Sequence, residues 1–184
     1  MNSTTKGVII FIVILLIWGG GFVVYYFYDH QSPAPVQTIS TTAIETSSTT
    51  KPTMPPEELV YVQTLQYYDA SLIASVNTII SLLANPLVTS QAWADSIAIP
   101  VGNVLGLYNV IKQIPTSSNI TVQLHNYYVN NVVGNYYVAV QFITTAITEG
   151  NTDSLRYANA YIEAGTQART QFFSQLNEYI DSYN

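Results

Sequence analysis

The chain has 184 residues, five cationic and eleven acidic side chains, a formal net charge of −6 and no cysteine. The absence of thiols excludes disulfide staples, a lipidated cysteine, cysteine-ligated zinc and thiol catalysis. A net-negative chain lacks the clustered Lys and Arg that displace counterions from phosphate, so no nucleic-acid partner is expected.

Only 9% of the residues are charged while 48% are hydrophobic, against a charged fraction of roughly 25% in ordinary globular domains. From Glu57 onward the cations are Lys112, Arg156 and Arg169, facing nine acidic residues. Asn, Gln, Ser, Thr and Tyr must therefore supply most of the polar surface.

Residues 1–6 are expected to lie in the cytoplasm. Gly7 to Tyr28 then form one apolar run without a charged side chain, ended by Asp29. As a helix the run reaches roughly 33 Å, enough to cross a hydrocarbon core of about 30 Å. It is longer than the core of a cleaved signal peptide, and it ends in Tyr25, Tyr26, Phe27 and Tyr28, which suit a membrane–water interface. The reading is an uncleaved signal anchor in the lipid bilayer, single-pass, with the following domain outside the cytoplasm; Lys6 before the run and Asp29 after it set that orientation. Gly19, Gly20 and Gly21 lack the four-residue spacing of a helix-pairing seam. Lys6-Gly7 before an apolar run resembles the cleavage site of type IV pilin-like precursors, although the acidic residue usual a few positions into those helices is missing.

Residues 29–56 read as a tether. Gln31 to Pro56 carry eleven Ser or Thr and five Pro in 26 residues, too little apolar surface to offset the entropy of ordering. A coil of this length spans roughly 28 Å, and such stalks are often O-glycosylated.

Residues 57–184 are expected to fold outside the cytoplasm as an all-α, antiparallel up-down four-helix bundle. Val62, Leu65, Asp69, Leu72, Val76, Ile79 and Leu83 recur at alternating three- and four-residue steps, and Asn85-Pro86 stops that helix. A second helix is expected over Ser90 to Ile114 with Trp93, Ile97, Val104, Leu107 and Ile111 inward, kinked or split at Pro100. A third, Ser118 to Glu149, has the seam Val122, His125, Val129, Val132, Tyr136, Val140, Ile143 and Ile147. Gly150-Asn151 ends it, and Thr152 or Asp153 caps a fourth helix running to about Tyr183 through Leu155, Ala158, Ile162, Gly165, Phe172, Leu176 and Tyr179.

Three polar residues stand on otherwise apolar seams: Asp69, His125 and Arg169. In an up-down bundle the first and last helices are neighbours, and Asp69 and Arg169 fall at similar heights, so they are expected to pair, with His125 or a Tyr hydroxyl beside them. Such a cluster is either the floor of a ligand pocket or a buried pair that fixes register. A seam displaced by one residue would put all three on the surface. Tyrosine doublets at Tyr67-Tyr68, Tyr127-Tyr128 and Tyr136-Tyr137 would each place one ring inward and one near the surface, a possible interaction face. Asn119-Ile120-Thr121 is an N-glycosylation sequon in an expected loop, and Asn2-Ser3-Thr4 matches on the cytoplasmic side. With His30 and His125 the only histidines, no metal ligand set of the bundle type is expected, nor any cofactor. No phosphate loop or nucleophile elbow is present.

The expected role is non-enzymatic: a membrane-anchored protein-interaction or accessory subunit of a membrane or cell-surface complex, with a protein partner or self-association. A sensor-type domain that binds a small molecule and signals through a separate partner is the alternative, followed by a filament or envelope subunit.

Overall fold

The computed structural model describes residues 52–183. The expected cytoplasmic segment 1–6, anchor 7–28 and nearly all of the linker 29–56, with Asn2 and His30, lie outside the described residues.

The described chain is all-helical: α1 spans Pro56–Leu83, α2 Gln91–Ile111, and α4 Asp153–Asp181. Between α2 and α4 runs one continuous helix, α3, in three parts: α-helical Asn119–Tyr127, a π-helical turn Tyr128–Val133, and α-helical Gly134–Glu149. No strand is present among the described residues.

Local chemistry sets each end. Pro55 and Pro56 preorganise the first turn of α1, and Glu57 and Glu58 complement its N-terminal dipole. The Ser90 hydroxyl accepts from the Trp93 N–H at the start of α2. Ser118 and Thr121 form a capping box at the start of α3. Gly150 closes α3 at φ 64°, the left-handed conformation that glycine adopts without a Cβ penalty, and the Asn151 side chain accepts from the Asp153 N–H to open α4. The sequence predicts a kink or a split at Pro100, and α2 is not split there: one helix runs through the buried proline.

The core is one cluster drawn from all four helices. On α1, every predicted seam position from Val62 to Leu83 is buried, and on α4 the predicted seam is buried together with Ala168. Leu107 of α2 is only half-buried, while Val101 goes inward. Helix α3 departs further: in its first half Thr121, Leu124, Tyr127 and Tyr128 face the core, whereas Val122 is 41% exposed and Val129 half-buried. The π turn holds one residue more than an α turn. Each extra residue rotates the preceding helix by about 100°, so a seam counted at 3.6 residues per turn through the turn lands one position off.

Among the described residues, α2 is the one helix long and apolar enough to cross a membrane by length and composition. Its Trp93, Ile97, Val101, Val104 and Ile111 lie in the core, and the Trp93 indole donates to the Leu82 carbonyl of α1 at 3.1 Å.

Gly165 of α4 packs against Tyr136 of α3, and an added Cβ there would stand 2.8 Å from the Tyr136 ring. In an open helix Gly→Ala stabilises by about 1 kcal/mol. At Gly165 the buried Tyr136 ring cannot yield, because its hydroxyl is tied to Thr166 Oγ1 at 3.1 Å. Gly165→Ala is therefore expected to destabilise the full-length protein by about 1–3 kcal/mol in urea unfolding. Gly102→Ala, where nothing lies within 4 Å of the new Cβ, should raise stability by about 0.5–1 kcal/mol.

Candidate functional site

The described core carries six buried polar or charged residues: Glu58, Asp69, Ser75, Thr121, His125 and Asn135. Asp69 lies on the apolar seam of α1 between Leu65 and Leu72 and is 3% exposed. Arg169 of α4 grips its carboxylate with two nitrogens: Nε donates to Oδ1 at 2.9 Å and to Oδ2 at 3.2 Å, and Nη2 donates to Oδ2 at 2.6 Å. The Tyr128 hydroxyl of α3 adds a bond to Oδ1 at 2.7 Å. The guanidinium also lies over the Phe173 ring at 4.7 Å, and the Tyr128 ring packs on Phe172 at 4.7 Å.

The electrostatics follow from this geometry. Hydrogen bonding to Asp69 holds the Arg169 pKa above its ordinary value. Burial, reinforced by the neighbouring Asp69 carboxylate, pushes the Tyr128 phenol far above the usual tyrosine range. Tyr128 is thus a fixed donor and not an acid, base or nucleophile near neutral pH. Both Asp69 oxygens are already taken by protein donors, so as a pocket floor the cluster offers a ligand no free carboxylate oxygen.

His125 does not join this pair. Its ring stands edge-on to Tyr61, with ring centroids 6.0 Å apart, and Tyr61 precedes Asp69 on α1 by about 12 Å of helix. A single apolar seam does not fix the height of a residue on a third helix, which is why the sequence misplaces His125.

Two further features escaped the sequence reading. Glu58 is 5% exposed and accepts from the Tyr179 hydroxyl and, at 3.1 Å, from the Tyr183 hydroxyl. Its signal was legible, since Glu58 extends the α1 seam one turn before Val62. Burial, followed by the bond to Glu58, pushes the Tyr179 phenol well above its ordinary range. The π turn carried no signal beyond the Asn-rich stretch that serves it: Asn131 Nδ2 donates to the Tyr127 carbonyl at 3.1 Å and Asn135 Nδ2 to the Asn131 carbonyl at 2.6 Å.

The tyrosine doublets do not assemble the expected face. Tyr127, Tyr128 and Tyr136 are all buried, Tyr68 and Tyr137 are half-buried, and only Tyr67, 69% exposed, is open. Tyr127 and Tyr128, at the junction of the α-helical segment with the π turn, are both buried, as are the adjacent Leu124 and His125. Tyr127 instead donates to Gln171 Oε1 at 3.0 Å, and Tyr137 stacks on Tyr108 with centroids 4.4 Å apart.

Asn119 is not in a loop. It is the exposed first residue of α3, and the buried Thr121 of its sequon is engaged in the capping box. Among the described residues no group of three or more His, Asp or Glu side chains is placed to hold a metal ion. In comparisons with known proteins, the chain matches no family model, no curated protein and no solved structure.

Two outcomes test the site. Arg169 keeps 31% of its side chain exposed and can turn to solvent, whereas Asp69, at 5%, cannot. Arg169→Ala should therefore cost about 3–4 kcal/mol and Asp69→Ala less, about 2–3 kcal/mol, in urea unfolding of the full chain. Burial lowers the His125 pKa, opposed in part by a hydrogen bond with the Lys112 backbone. The unfolded chain, titrating near pH 6.5, then binds the proton more readily than the folded one. The stability this residue contributes is complete above about pH 6.5 and is lost as pH falls through the lower folded pKa. The Tm of the wild type should fall more between pH 7.5 and 5 than that of His125→Gln.

Proposed function

We propose that the chain is a membrane-tethered, extracytoplasmic, antiparallel up-down four-helix bundle that serves as a non-enzymatic interaction or accessory subunit of a membrane complex. The observation that carries the tethering is the charge-free run from Gly7 to Tyr28, followed by the Ser/Thr/Pro-rich stretch to Pro56. The up-down topology is supported by contacts that run in opposite directions on paired helices. Glu58 and Asp69 of α1 meet Tyr179 and Arg169 of α4, and Tyr127 and Tyr136 of α3 meet Gln171 and Thr166 of α4.

The interaction role draws on one face. α1 and α2 enclose a shallow groove of about 460 Å³ lined by Ser71, Ser75, Gly102, Asn103, Gly106, Leu107 and Val110. One helical turn beyond its lining residues, Tyr67 is 69% exposed and Ile99 is 71% exposed. Charged side chains are missing from this lining, and the hydroxyls of Ser71 and Ser75 bond to carbonyls of their own helix. A partner protein covering it would desolvate few polar groups that lack internal bonds.

The test is affinity purification of the tagged full-length chain from native membranes in mild detergent. A partner protein, or a second copy, should co-purify. Ile99→Glu and Val110→Glu should abolish that association with little change in Tm, because both side chains are exposed. A wild-type chain that elutes monomeric and bare would overturn the interaction role, and a chain found in the carbonate-soluble fraction would overturn the tethering.

A further inference from the structure

The Asn119-Ile120-Thr121 sequon lies across the first turn of α3, and the helix divides it. An oligosaccharyltransferase reads two groups of such a sequence in one site: the Asn carboxamide, which receives the sugar, and the hydroxyl two residues later. Residues two apart on an α-helix point about 200° apart around its axis, so this turn sends the two groups to opposite sides. Asn119 is exposed, whereas Thr121 is 0% exposed.

The Thr121 hydroxyl is also fully engaged. Its Oγ1 accepts from the Ser118 N–H at 2.9 Å and from the Ser117 N–H at 3.2 Å, and it donates to the Ser118 carbonyl at 3.0 Å. One donor and two acceptor positions are all that a hydroxyl has. The Ser118 hydroxyl closes the box by accepting from the Thr121 N–H at 3.2 Å. A transferase could read Thr121 only by drawing it out of the core, breaking these bonds and unwinding the turn. The carboxamide makes no such demand. A sugar on Asn119 projects from the exposed side of the helix, and the folded α3 keeps its cap.

We propose that Asn119 is an N-glycan acceptor that is open only on the unfolded chain and is closed by the formation of α3, so that its glycan is added before the bundle folds. In the transfer, Asn119 Nδ2 bonds to the anomeric carbon of a lipid-pyrophosphate-linked oligosaccharide. The bond from that carbon to the phosphate oxygen breaks, the lipid pyrophosphate leaves with the electron pair, and one Nδ2 proton passes to a base of the transferase. Transfer in the cell rests on the extracytoplasmic placement proposed above; the closing of the sequon by α3 does not.

The test compares folded and open acceptors in detergent solution. The purified full-length chain is incubated with a purified oligosaccharyltransferase and its lipid-pyrophosphate-linked donor, and modification is read by mass on the peptide that carries Asn119. Leu124→Pro breaks α3 one turn beyond the acceptor and leaves residues 119–121 unchanged, with the loss of helix checked by circular dichroism. It should gain one glycan at Asn119 at least about tenfold faster than the wild type, because the wild type must first open locally. Thr121→Ala in the same background should abolish the gain. A wild type modified as fast as Leu124→Pro would overturn the closing by α3, and an unmodified Leu124→Pro would overturn the acceptor. During translation into membrane vesicles that hold the transferase, the wild type should acquire a glycan that Asn119→Gln lacks. A bare Asn119 there, with Leu124→Pro modified in solution, would overturn the extracytoplasmic placement and with it the glycan in the cell, while the closing by α3 would stand on the solution result.

Discussion

One carboxylate is shared by three helices. Asp69 belongs to α1, but its oxygens are satisfied only by Arg169 of α4 and Tyr128 of α3. A buried carboxylate without donors costs several kcal/mol, so a slip of any of these helices by one residue strands it. Most of the stabilisation comes from elsewhere. Leu65, Leu72, Ile79, Ile97, Ile143, Phe172 and Leu176 are at most 1% exposed, and each contributes about 1.5–3 kcal/mol by burial. Apolar packing tolerates sliding far better than a bidentate ion pair does. The core therefore supplies the stability, while Asp69 specifies the register.

Helix α3 changes to a π-helical turn at Tyr128, and at that junction Tyr127 reaches Gln171 while Tyr128 reaches Asp69. The wider turn disturbs the regular ladder of carbonyl acceptors, and the side chains of Asn131 and Asn135 engage two of its carbonyls. The stretch that reads in the sequence as polar and unremarkable is thus the part where α3 changes helix type.

Low charge has a consistent structural counterpart. Ser and Thr hydroxyls along the helices, including Ser71, Ser75, Thr78, Ser81, Ser96 and Thr144, donate to the carbonyl four residues earlier. The donor of each of these hydroxyls is used within its own helix. A groove such as the one between α1 and α2 can be covered at little desolvation cost.

Helix number, approximate boundaries and the buried faces of α1 and α4 were legible in the residues themselves. Both helices keep an unbroken three- and four-residue rhythm, and periodicity is a local property that needs no partner to be read. The neighbouring heights of Asp69 and Arg169 could be argued because, in an up-down bundle, counting from the start of the first helix and from the end of the last puts the two at similar levels. The face of α3 before Tyr128, the joint burial of Tyr127 and Tyr128 and the position of His125 were not legible. A π turn is selected by what it gains in packing and hydrogen bonds against other helices, and nothing in its own six residues announces that gain. Local pattern determined which segments become helices and which stripe of α1 and α4 is apolar; only tertiary contact decided how α3 is rotated and which buried polar atoms meet, because those depend on satisfying donors and acceptors contributed by residues far apart in the chain.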